Sequence, residues 1–253
     1  MEPTALPPLS RIAGAALRVS LISAALALVA GFGHRLGWWD FGIGFILLAI
    51  AVLGALAGIV LSAWGALAAR PSAPRRGLGR AVLGLVVSAA VIAPPIHWML
   101  LARSVPPIHD ITTDTGDPPR FVAIAPLRRH APDPASYGGP RVAALQHAAY
   151  PDIRPVLLGV PPRAAFDRAL AAAHAMDWHI VASVPAEGRI EATATTFWFG
   201  FKDDVVIRVR PRDGGSRVDI RSMSRVGKSD LGTNARRVRA FIRRLQAGTP
   251  HKS

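Results

Sequence analysis

Three long stretches of apolar residues near the beginning of this chain constrain its fold more than any other feature. They run over about residues 12–33, 41–69 and 81–102, and the second and third contain no charged side chain. The hydrocarbon core of a bilayer is about 30 Å thick, so about 20 apolar helical residues are needed to cross it. Each stretch reaches that length. The sequence therefore predicts a membrane region over residues 1–103 with three transmembrane helices, and it excludes an ordinary soluble protein.

Two of the stretches carry features that bear on this prediction. Arg11 precedes the first stretch and Arg18 interrupts it, a pattern that also suits a secretory signal peptide. We interpret this segment as a retained helix because its apolar run is long enough to span, and cleavage stays as the alternative. Pro94 and Pro95 lie within the third stretch. Proline kinks a helix, which is tolerated in a membrane where neighbouring groups satisfy the freed carbonyl oxygens.

Positive charges around the apolar stretches predict the orientation of the chain. The connection between the second and third stretches holds four arginines, Arg70, Arg75, Arg76 and Arg80. The connection between the first and second holds Arg35, which Asp40 offsets. Short loops rich in arginine stay in the cytoplasm. We therefore expect a protein of the cytoplasmic (inner) membrane with a cytoplasmic N-terminus and an extracytoplasmic C-terminal part, which in a bacterium is periplasmic.

Residues 104–152 form a Pro-rich lead-in, for which we predict extended chain with little regular helix before about residue 142. Its segment 108–117 is dense in oxygen ligands, and His109, Asp110 and Asp114 are candidate metal ligands. Their spacing does not match the calcium-binding loop. Local turns formed by the Asp and Thr side chains are the interpretation that we favour, with a metal site as the alternative.

Residues 153–246 have the pattern of a compact α+β domain. Apolar and polar residues alternate at period two, which is typical of strands with one buried and one solvated face. The expected strands lie at about 153–159, 178–184, 189–196, 205–210 and 217–224. Two amphipathic helices, one after Pro161 and one over about 234–246, interrupt and close the series. The order predicts a mostly antiparallel sheet with two helices on one face, followed by a tail over residues 247–253.

The densest polar motif runs from Arg221 to Arg237 with the sequence RSMSRVGKSDLGTNARR, leaving a strand and entering the last helix. Together with GFKDDVVIRVR at residues 200–210, it resembles the bacterial and plastid family known as domain of unknown function 1499. The resemblance extends over about residues 108–246 and is strongest over 200–240. It implies a protein that is membrane-anchored or exported, and it implies no established activity.

The loop within this motif has the chemistry of an anion-binding site. Guanidinium groups supply forked charged donors, hydroxyls supply further donors, and a helix N-terminus follows. The candidate anion-binding residues are Arg221, Ser222, Ser224, Arg225, Lys228, Asn234 and Arg237. In the alternative interpretation the arginines pair with acidic residues and lock the loop against the sheet. The candidate acidic partners are Asp203, Asp204, Asp219 and Asp230.

An aromatic run, Phe197-Trp-Phe-Gly-Phe201, precedes the strand at 205–210. Continued alternation would turn Trp198 inward and leave Phe197, Phe199 and Phe201 on the solvent side. Exposed aromatic side chains of this kind suggest contact with a membrane or a partner. A second core beneath the lead-in explains them equally well.

The function hypotheses follow from these residues. The chain lacks cysteine and the spacings typical of serine hydrolases, zinc proteases and phosphate loops, so we predict no cofactor and favour binding over catalysis. The part of the chain after residue 103 holds 22 Lys and Arg against 14 Asp and Glu, so the domain is expected to recognise an anionic lipid or envelope polymer at the bilayer surface, and nucleic acid is not an expected partner. The alternatives are a metal-assisted hydrolase using His109, Asp110 and Asp203 or Asp204, and a structural partner of another membrane protein.

Overall fold

The computed structural model describes residues 8–70 and 76–247, so that Arg75 and residues 248–253 of the expected tail lie outside the described residues. The chain divides into two compact units. The first contains the long N-terminal helices together with residues 197–200, and the second contains residues 101–196 and the chain from Phe201 onward.

Three long helices dominate the first unit: α1 (Arg11–Arg35), α2 (Phe41–Ala68) and α3 (Leu78–Ser104). All three are long and apolar enough to cross a membrane, which confirms the prediction of three spans. Asp40 caps α2, because its carboxylate accepts from the backbone N–H groups of Gly42 and Ile43 at 2.8 and 3.3 Å. Helices α1 and α3 extend beyond the apolar runs, into residues that include polar ones. The helical backbone thus continues past the segment that is long enough to cross the hydrocarbon core.

Small residues fill the interior of this helical unit, and large apolar residues cover its outside. The hydroxyl of Ser88 donates to that of Ser20 at 2.9 Å, and Ser20 in turn donates to the carbonyl oxygen of Ala16 at 2.8 Å. Ile22 and Leu53 are exposed by 67% and 66%. Small side chains let helix backbones approach closely, and large exposed ones suit a surface that faces lipid.

Residues 197–200 belong to the helical unit and correct one expectation from the sequence. Phe199 is buried instead of solvated, and its ring lies 5.2 Å from that of Phe45. Trp198 is partly exposed and Phe197 is exposed by 78%. The strand alternation does not apply here because these residues form a turn between two strands.

The second unit contains one antiparallel sheet. Its strands are β1 (Asp110–Thr112), β2 (Val156–Leu158), β3 (His179–Val184), β4 (Arg189–Thr195), β5 (Lys202–Arg212) and β6 (Gly215–Ser224). The order is β1-β6-β5-β4-β3, and β2 pairs with the first half of β6 while β1 pairs with its second half. Gly188 closes the turn before β4 with a φ of 61°, a conformation in which glycine is favoured.

Apolar side chains on one face of the sheet pack beneath α5 (Pro162–His174) and α6 (Thr233–Ala247). Phe166 from α5, Ile207 from β5 and Phe241 from α6 are at most 2% exposed in this core. The fold therefore confirms an antiparallel sheet domain with helices after the membrane region. The lead-in is more ordered than expected, because it supplies β1, a 3-10 turn over Ala125–Arg128 and the helix α4 (Gly139–Ala149).

The opposite face of the sheet is also buried, which corrects the expectation of a solvated face. The lead-in crosses it through residues 113–138, which we call the cover segment. Phe121 and Ile124 of this segment pack against Val206 and Met223 of the sheet in a small second core. The alternation in β5 and β6 therefore separates an apolar layer from a largely polar one, and both layers are buried except at the edge of the polar layer, where Arg210 is exposed and Arg217 is partly exposed.

Candidate functional site

Arg221 anchors the cover segment to the polar face of the sheet. Its guanidinium donates to both carboxylate oxygens of Asp110 in β1 at 2.8 Å, and the two side chains are only 2% and 3% exposed. It also donates to the carbonyl oxygens of Pro119 and Ala135, at 3.3 and 3.1 Å. The ring of Tyr137 lies 5.6 Å from the guanidinium carbon. Arg221 thus joins β6, β1 and both ends of the cover segment, and its donors are engaged within the protein.

A second buried cluster surrounds Asp204, which is fully buried in β5. Arg225 donates to both of its carboxylate oxygens at 2.8 Å, and Arg128 of the cover segment donates to one of them at 2.9 Å. Burial lowers the pKa of Arg128, and the charge of Asp204 acts against that shift and keeps the guanidinium ionised. Arg225 therefore has the paired arrangement that the sequence left open, with Asp204 as its partner.

Two further carboxylates fix the cover segment. Asp219 accepts from Arg208 and Arg217 of the strands, at 3.1 Å in each case, and from the hydroxyl of Thr113 in the cover segment at 3.4 Å. Glu191, which is fully buried in β4, accepts three backbone N–H groups of residues 122–124 at 2.8 to 3.0 Å. Because these acids bind the segment through backbone as well as side-chain donors, the segment is held along most of its length.

The rest of the motif forms a network on the other face of the sheet. The hydroxyl of Ser222 donates to Asn234 at 2.6 Å, and Asn234 donates to Ser224 at 3.0 Å and to the carbonyl oxygen of His109 at 2.9 Å. Arg237 donates to Asp203 at 2.6 Å. Asp203 and Asp204 are adjacent in β5 and therefore point to opposite faces. This network fixes the start of α6 against β6 and holds the backbone of His109 in place.

Asp230 lies at the entry to α6 and has no arginine among its hydrogen-bond partners. Its carboxylate accepts from the backbone N–H groups of Gly232 and Asn234, at 2.8 and 2.6 Å. Burial raises the pKa of Asp230 above its usual range. Asp230 therefore orders the loop before α6 through backbone contacts.

The candidate metal ligands are dispersed in the structure. Asp110 binds Arg221, whereas Asp114 accepts from Arg208 and Arg217 at 3.1 and 2.6 Å. Asp114 also accepts from the backbone N–H groups of residues 116 and 117, as in the local turn that the sequence favours. In the part of the chain that the structure describes, no three His, Asp or Glu side chains lie close enough together to hold a metal ion.

A cavity of about 560 Å³ opens between β1, the cover segment and α4. Its polar lining consists of His109, Asp110, Asp133, Ser136, Tyr137, Arg141 and Lys228. Apolar walls come from Ile108, Val142 and Met223. Of the candidate anion-binding residues in the motif, Lys228 lines this cavity. Of the candidate metal ligands, His109 and Asp110 line it. A concave site with apolar walls and a few polar groups is typical of ligand pockets.

Three polar atoms in the cavity wall are buried and lack a hydrogen-bond partner among the described residues: His109 Nδ1, Asp133 Oδ2 and Tyr137 OH. The first two lie 3.7 Å apart, beyond hydrogen-bonding distance. An unpaired buried group costs about 1–3 kcal/mol, so most such groups in proteins are paired. Each of the three atoms has less than 1 Å² of accessible surface, so they lie behind the surface that a molecule in the cavity would contact.

The charged side chains around the cavity favour an anionic ligand. Burial, with a smaller contribution from the negative charge of Asp110, raises the pKa of Tyr137 to about 12, so its phenol is a donor at neutral pH. Arg141 and Lys228 are exposed cations at the lining. The charge of Asp110 is matched by Arg221, and Asp133 lies 3.7 Å from the imidazole of His109, so these two acids have partners beside the two exposed cations.

Sequence reasoning missed three residues of this lining, Asp133, Tyr137 and Arg141. They occur in or just after a Pro-rich segment without periodicity, so no strand or helix pattern places them near His109. The signal that was available is local: an acid, an aromatic and a cation follow one another around Pro134 and Pro140. Such a cluster within a segment rich in turns is a reason to consider a binding loop.

The comparisons with known proteins agree with the motif. Residues 110–245 match the family described as Protein of unknown function (DUF1499). Because the match covers more than half of the chain, the chain belongs to this family, as the resemblance of the motif predicts. A search of curated proteins finds no match to the chain. The matched region begins at Asp110 and therefore includes β1, the cover segment and most of the cavity lining.

Proposed function

We propose that this DUF1499 protein is a membrane-anchored binding module whose C-terminal domain recognises an anionic component of the cell envelope. The proposed site is the cavity lined by His109, Asp133, Tyr137, Arg141 and Lys228. The observation that carries the proposal is the placement of two exposed cations, Arg141 and Lys228, at the lining of one cavity with apolar walls.

Charge supports an anionic ligand. Lys228 and Arg141 lie at the exposed side of the lining, where they can contact a phosphate or carboxylate group without displacing an internal ion pair. The three arginines among the candidate anion-binding residues bind acids within the fold: Arg221 binds Asp110, Arg225 binds Asp204 and Arg237 binds Asp203. We therefore assign direct ligand contact to Lys228 and a scaffolding role to the remaining candidate anion-binding residues.

The ion pairs of the acidic residues agree better with a binding role than with the alternative of a metal-assisted hydrolase. That alternative needs His109 and Asp110 close to Asp203 or Asp204. Asp203 is instead bound by Arg237, and Asp204 is bound by arginines from two elements. A carboxylate held in this way is a poor ligand and a poor general base, because an adjacent cation stabilises its ionised form.

The expected membrane topology supports contact between this domain and envelope anions. Three helices of spanning length lie before it, and Arg70, Arg76 and Arg80 lie around the connection between α2 and α3. If that connection is cytoplasmic, the domain after α3 is extracytoplasmic, at the outer surface of the inner membrane. Anionic lipid headgroups and envelope polymers are the ligands available there.

Titration calorimetry of full-length protein in uncharged detergent with glycerol 3-phosphate tests the proposed site. We expect saturable binding that weakens about tenfold or more in Lys228→Ala and in Arg141→Ala, since a hydrogen bond to a charged group contributes about 1.5–3 kcal/mol. Arg243→Ala is the matched control, because Arg243 is exposed on α6 and does not line the cavity. Equal weakening by all three substitutions, or no binding by the wild type, contradicts the proposal.

A labelling experiment tests the topology separately. The chain contains no cysteine, so the wild type is an unlabelled control. We expect Asp213→Cys, in the exposed turn between β5 and β6, to react with a membrane-impermeant maleimide. The reagent is added to spheroplasts whose inner membrane is intact. Labelling only after the membrane is broken would place the domain in the cytoplasm and remove envelope polymers as ligands.

A further inference from the structure

We propose that the turn between β4 and β5 lies in the membrane interface and contacts lipid through its aromatic side chains. Residues 197–200, which we call the aromatic turn, have the sequence Phe-Trp-Phe-Gly and belong to the helical unit. This surface uses residues other than the cavity lining, and its partner is the phospholipid bilayer. It is therefore a second contact surface of the protein, which does not depend on a ligand in the cavity.

Glycine residues in two of the long helices make room for the aromatic turn. A Cβ atom at Gly31 of α1 would overlap the indole of Trp198, and one at Gly44 of α2 would lie 3.0 Å from the ring of Phe199. The indole N–H of Trp198 donates to the carbonyl oxygen of Leu28 at 3.3 Å. The turn is therefore packed among helices of spanning length, and its depth in the membrane follows from theirs.

The aromatic turn lies at the end of the helical unit where α1 ends and α2 begins. The ring of Phe197 packs edge-on against that of Phe32, with centroids 5.6 Å apart, in the last turn of α1. Arg35, the last residue of α1, donates to the carbonyl oxygen of Phe197 at 2.7 Å. The ring of Phe199 lies 5.2 Å from that of Phe45, near the start of α2. Because spanning helices end near the headgroups, the turn is at the depth of the interface.

Phe197 is the residue of the turn that presents apolar surface to the outside. Its side chain is 78% exposed, whereas Phe199 is buried against the helices. Trp38, which follows α1 at the same end of the unit, is 66% exposed. Aromatic residues concentrate at membrane interfaces, where the ring meets apolar lipid at the level of the headgroups. Lipid is therefore the partner that covers the ring of Phe197.

The backbone of the turn fits the interface better than the hydrocarbon core. Lipid tails offer no hydrogen bonds, so irregular backbone is not found exposed to them. The carbonyl oxygen of Phe197 is bound by a guanidinium, whose charge is stable among headgroups and costly at the bilayer centre. At the base of the turn, the N–H of Thr196 donates to the carbonyl oxygen of Phe201 at 2.9 Å, and the N–H of Phe201 donates to the hydroxyl of Thr196 at 2.8 Å. We therefore expect shallow insertion, at the boundary between headgroups and acyl chains.

Spin labels on single cysteines test this position in full-length protein, reconstituted at one copy per nanodisc of phosphatidylcholine and phosphatidylglycerol. The chain contains no cysteine, so each variant carries one label. Phe197→Cys carries the test label, and it leaves the packed ring of Phe199 in place. Leu53→Cys, on the exposed side of α2, is the lipid reference. Asp213→Cys, in the exposed turn between β5 and β6, is the aqueous reference.

The collision rates of each label with oxygen and with a hydrated nickel chelate are then compared. Oxygen concentrates in hydrocarbon, whereas the chelate stays in water. We expect the ratio of oxygen to chelate collisions at residue 197 to exceed that at residue 213 about fivefold or more, and to lie below that at residue 53.

Three results would overturn the proposal. A ratio at residue 197 equal to that at residue 213 would place the turn in water. Low collision rates with both reagents would mean that protein, not lipid, covers the ring. A ratio at residue 53 as low as that at residue 213 would place the helical unit itself outside the bilayer.

Discussion

The two faces of the β-sheet are buried by different chemistry. On one face, Phe166 and Phe241 from the helices pack against apolar strand residues such as Ile207. On the other, Arg221 and Asp204 are almost or wholly buried beneath the cover segment. The comparison shows that strand alternation separates side chains by polarity but does not predict which face is buried. A polar face can be buried when another part of the chain supplies its counter-ions.

The two kinds of burial differ in how they respond to substitution. Trimming an apolar side chain costs free energy in proportion to the atoms and the cavity involved. An intact buried ion pair contributes little net stability, but removing one partner leaves a lone buried charge and costs about 3–5 kcal/mol. The polar face should therefore tolerate paired changes better than single ones.

The largest expected effect is that of Arg221→Ala. The substitution leaves Asp110 buried without its cation, so we expect the domain to lose about 3–5 kcal/mol of unfolding free energy. Hydrogen–deuterium exchange of β5 amides in the full-length protein measures this loss, and the amides of α2 are an internal control.

The double variant Asp110→Ala, Arg221→Ala sharpens the comparison. Because it contains no lone charge, we expect it to be more stable than Arg221→Ala alone. A double variant that loses the full sum of the two single effects would show that the two residues act independently, and the contrast between the faces would then fail.

A smaller effect is expected on the apolar face. Ile207→Val removes one methylene group from a fully buried side chain, which costs about 0.5–1.5 kcal/mol. The same exchange measurement at low and high salt should give the same loss, since no charge is involved. A loss as large as that of Arg221→Ala would contradict the proposed difference between the faces.

The smallest effect is expected at the edge of the polar face. A hydrogen bond from Arg210, with a contribution from the charge of Arg208, lowers the pKa of Asp117. Because the folded pKa lies below the unfolded one, this stabilisation is present at neutral pH and is lost as the pH falls below about 4. The side chain is 54% exposed, so solvent screening keeps the contribution under about 1 kcal/mol.

Acid unfolding of the full-length protein, followed by circular dichroism, measures that contribution. Asp117→Asn should flatten the pH dependence slightly over this window, because it lowers the stability above about pH 4 by less than about 1 kcal/mol and leaves the stability at lower pH almost unchanged. A change as large as that of a buried pair would show that the edge of the polar face is not solvated.

The elements of this fold were predictable where local pattern decides them. Apolar length predicts the three long helices, and period-two alternation predicts the strands from β3 to β6. The buried polar face was not predictable, because Arg221 and its partner Asp110 are more than 100 residues apart in the sequence. A charged motif indicates what its side chains can bind, but it does not reveal which distant acid they contact.

The candidate site was predictable in fragments. His109 and Lys228 were selected for separate reasons, and the structure places both at one cavity. Ser222, Ser224, Asn234 and Arg237 have the composition of a ligand loop, yet their hydrogen bonds hold α6 and the backbone of His109. Asp133 and Tyr137 were missed because a Pro-rich segment has no period from which to infer a neighbour.

The pairing of β6 with both β1 and β2 sets the order in which the domain can be completed. Asp110 aligns with Met223, and Val156 aligns with Val218, so both early strands find their partner near the end of the chain. Contacts of such high sequence separation form slowly because a long loop must close first. During synthesis, Asp110 and the cover segment leave the ribosome before Arg221, their partner in β6, has been made. We therefore expect the sheet to close late in folding. The same step pairs Asp110 with its cation and completes the cavity.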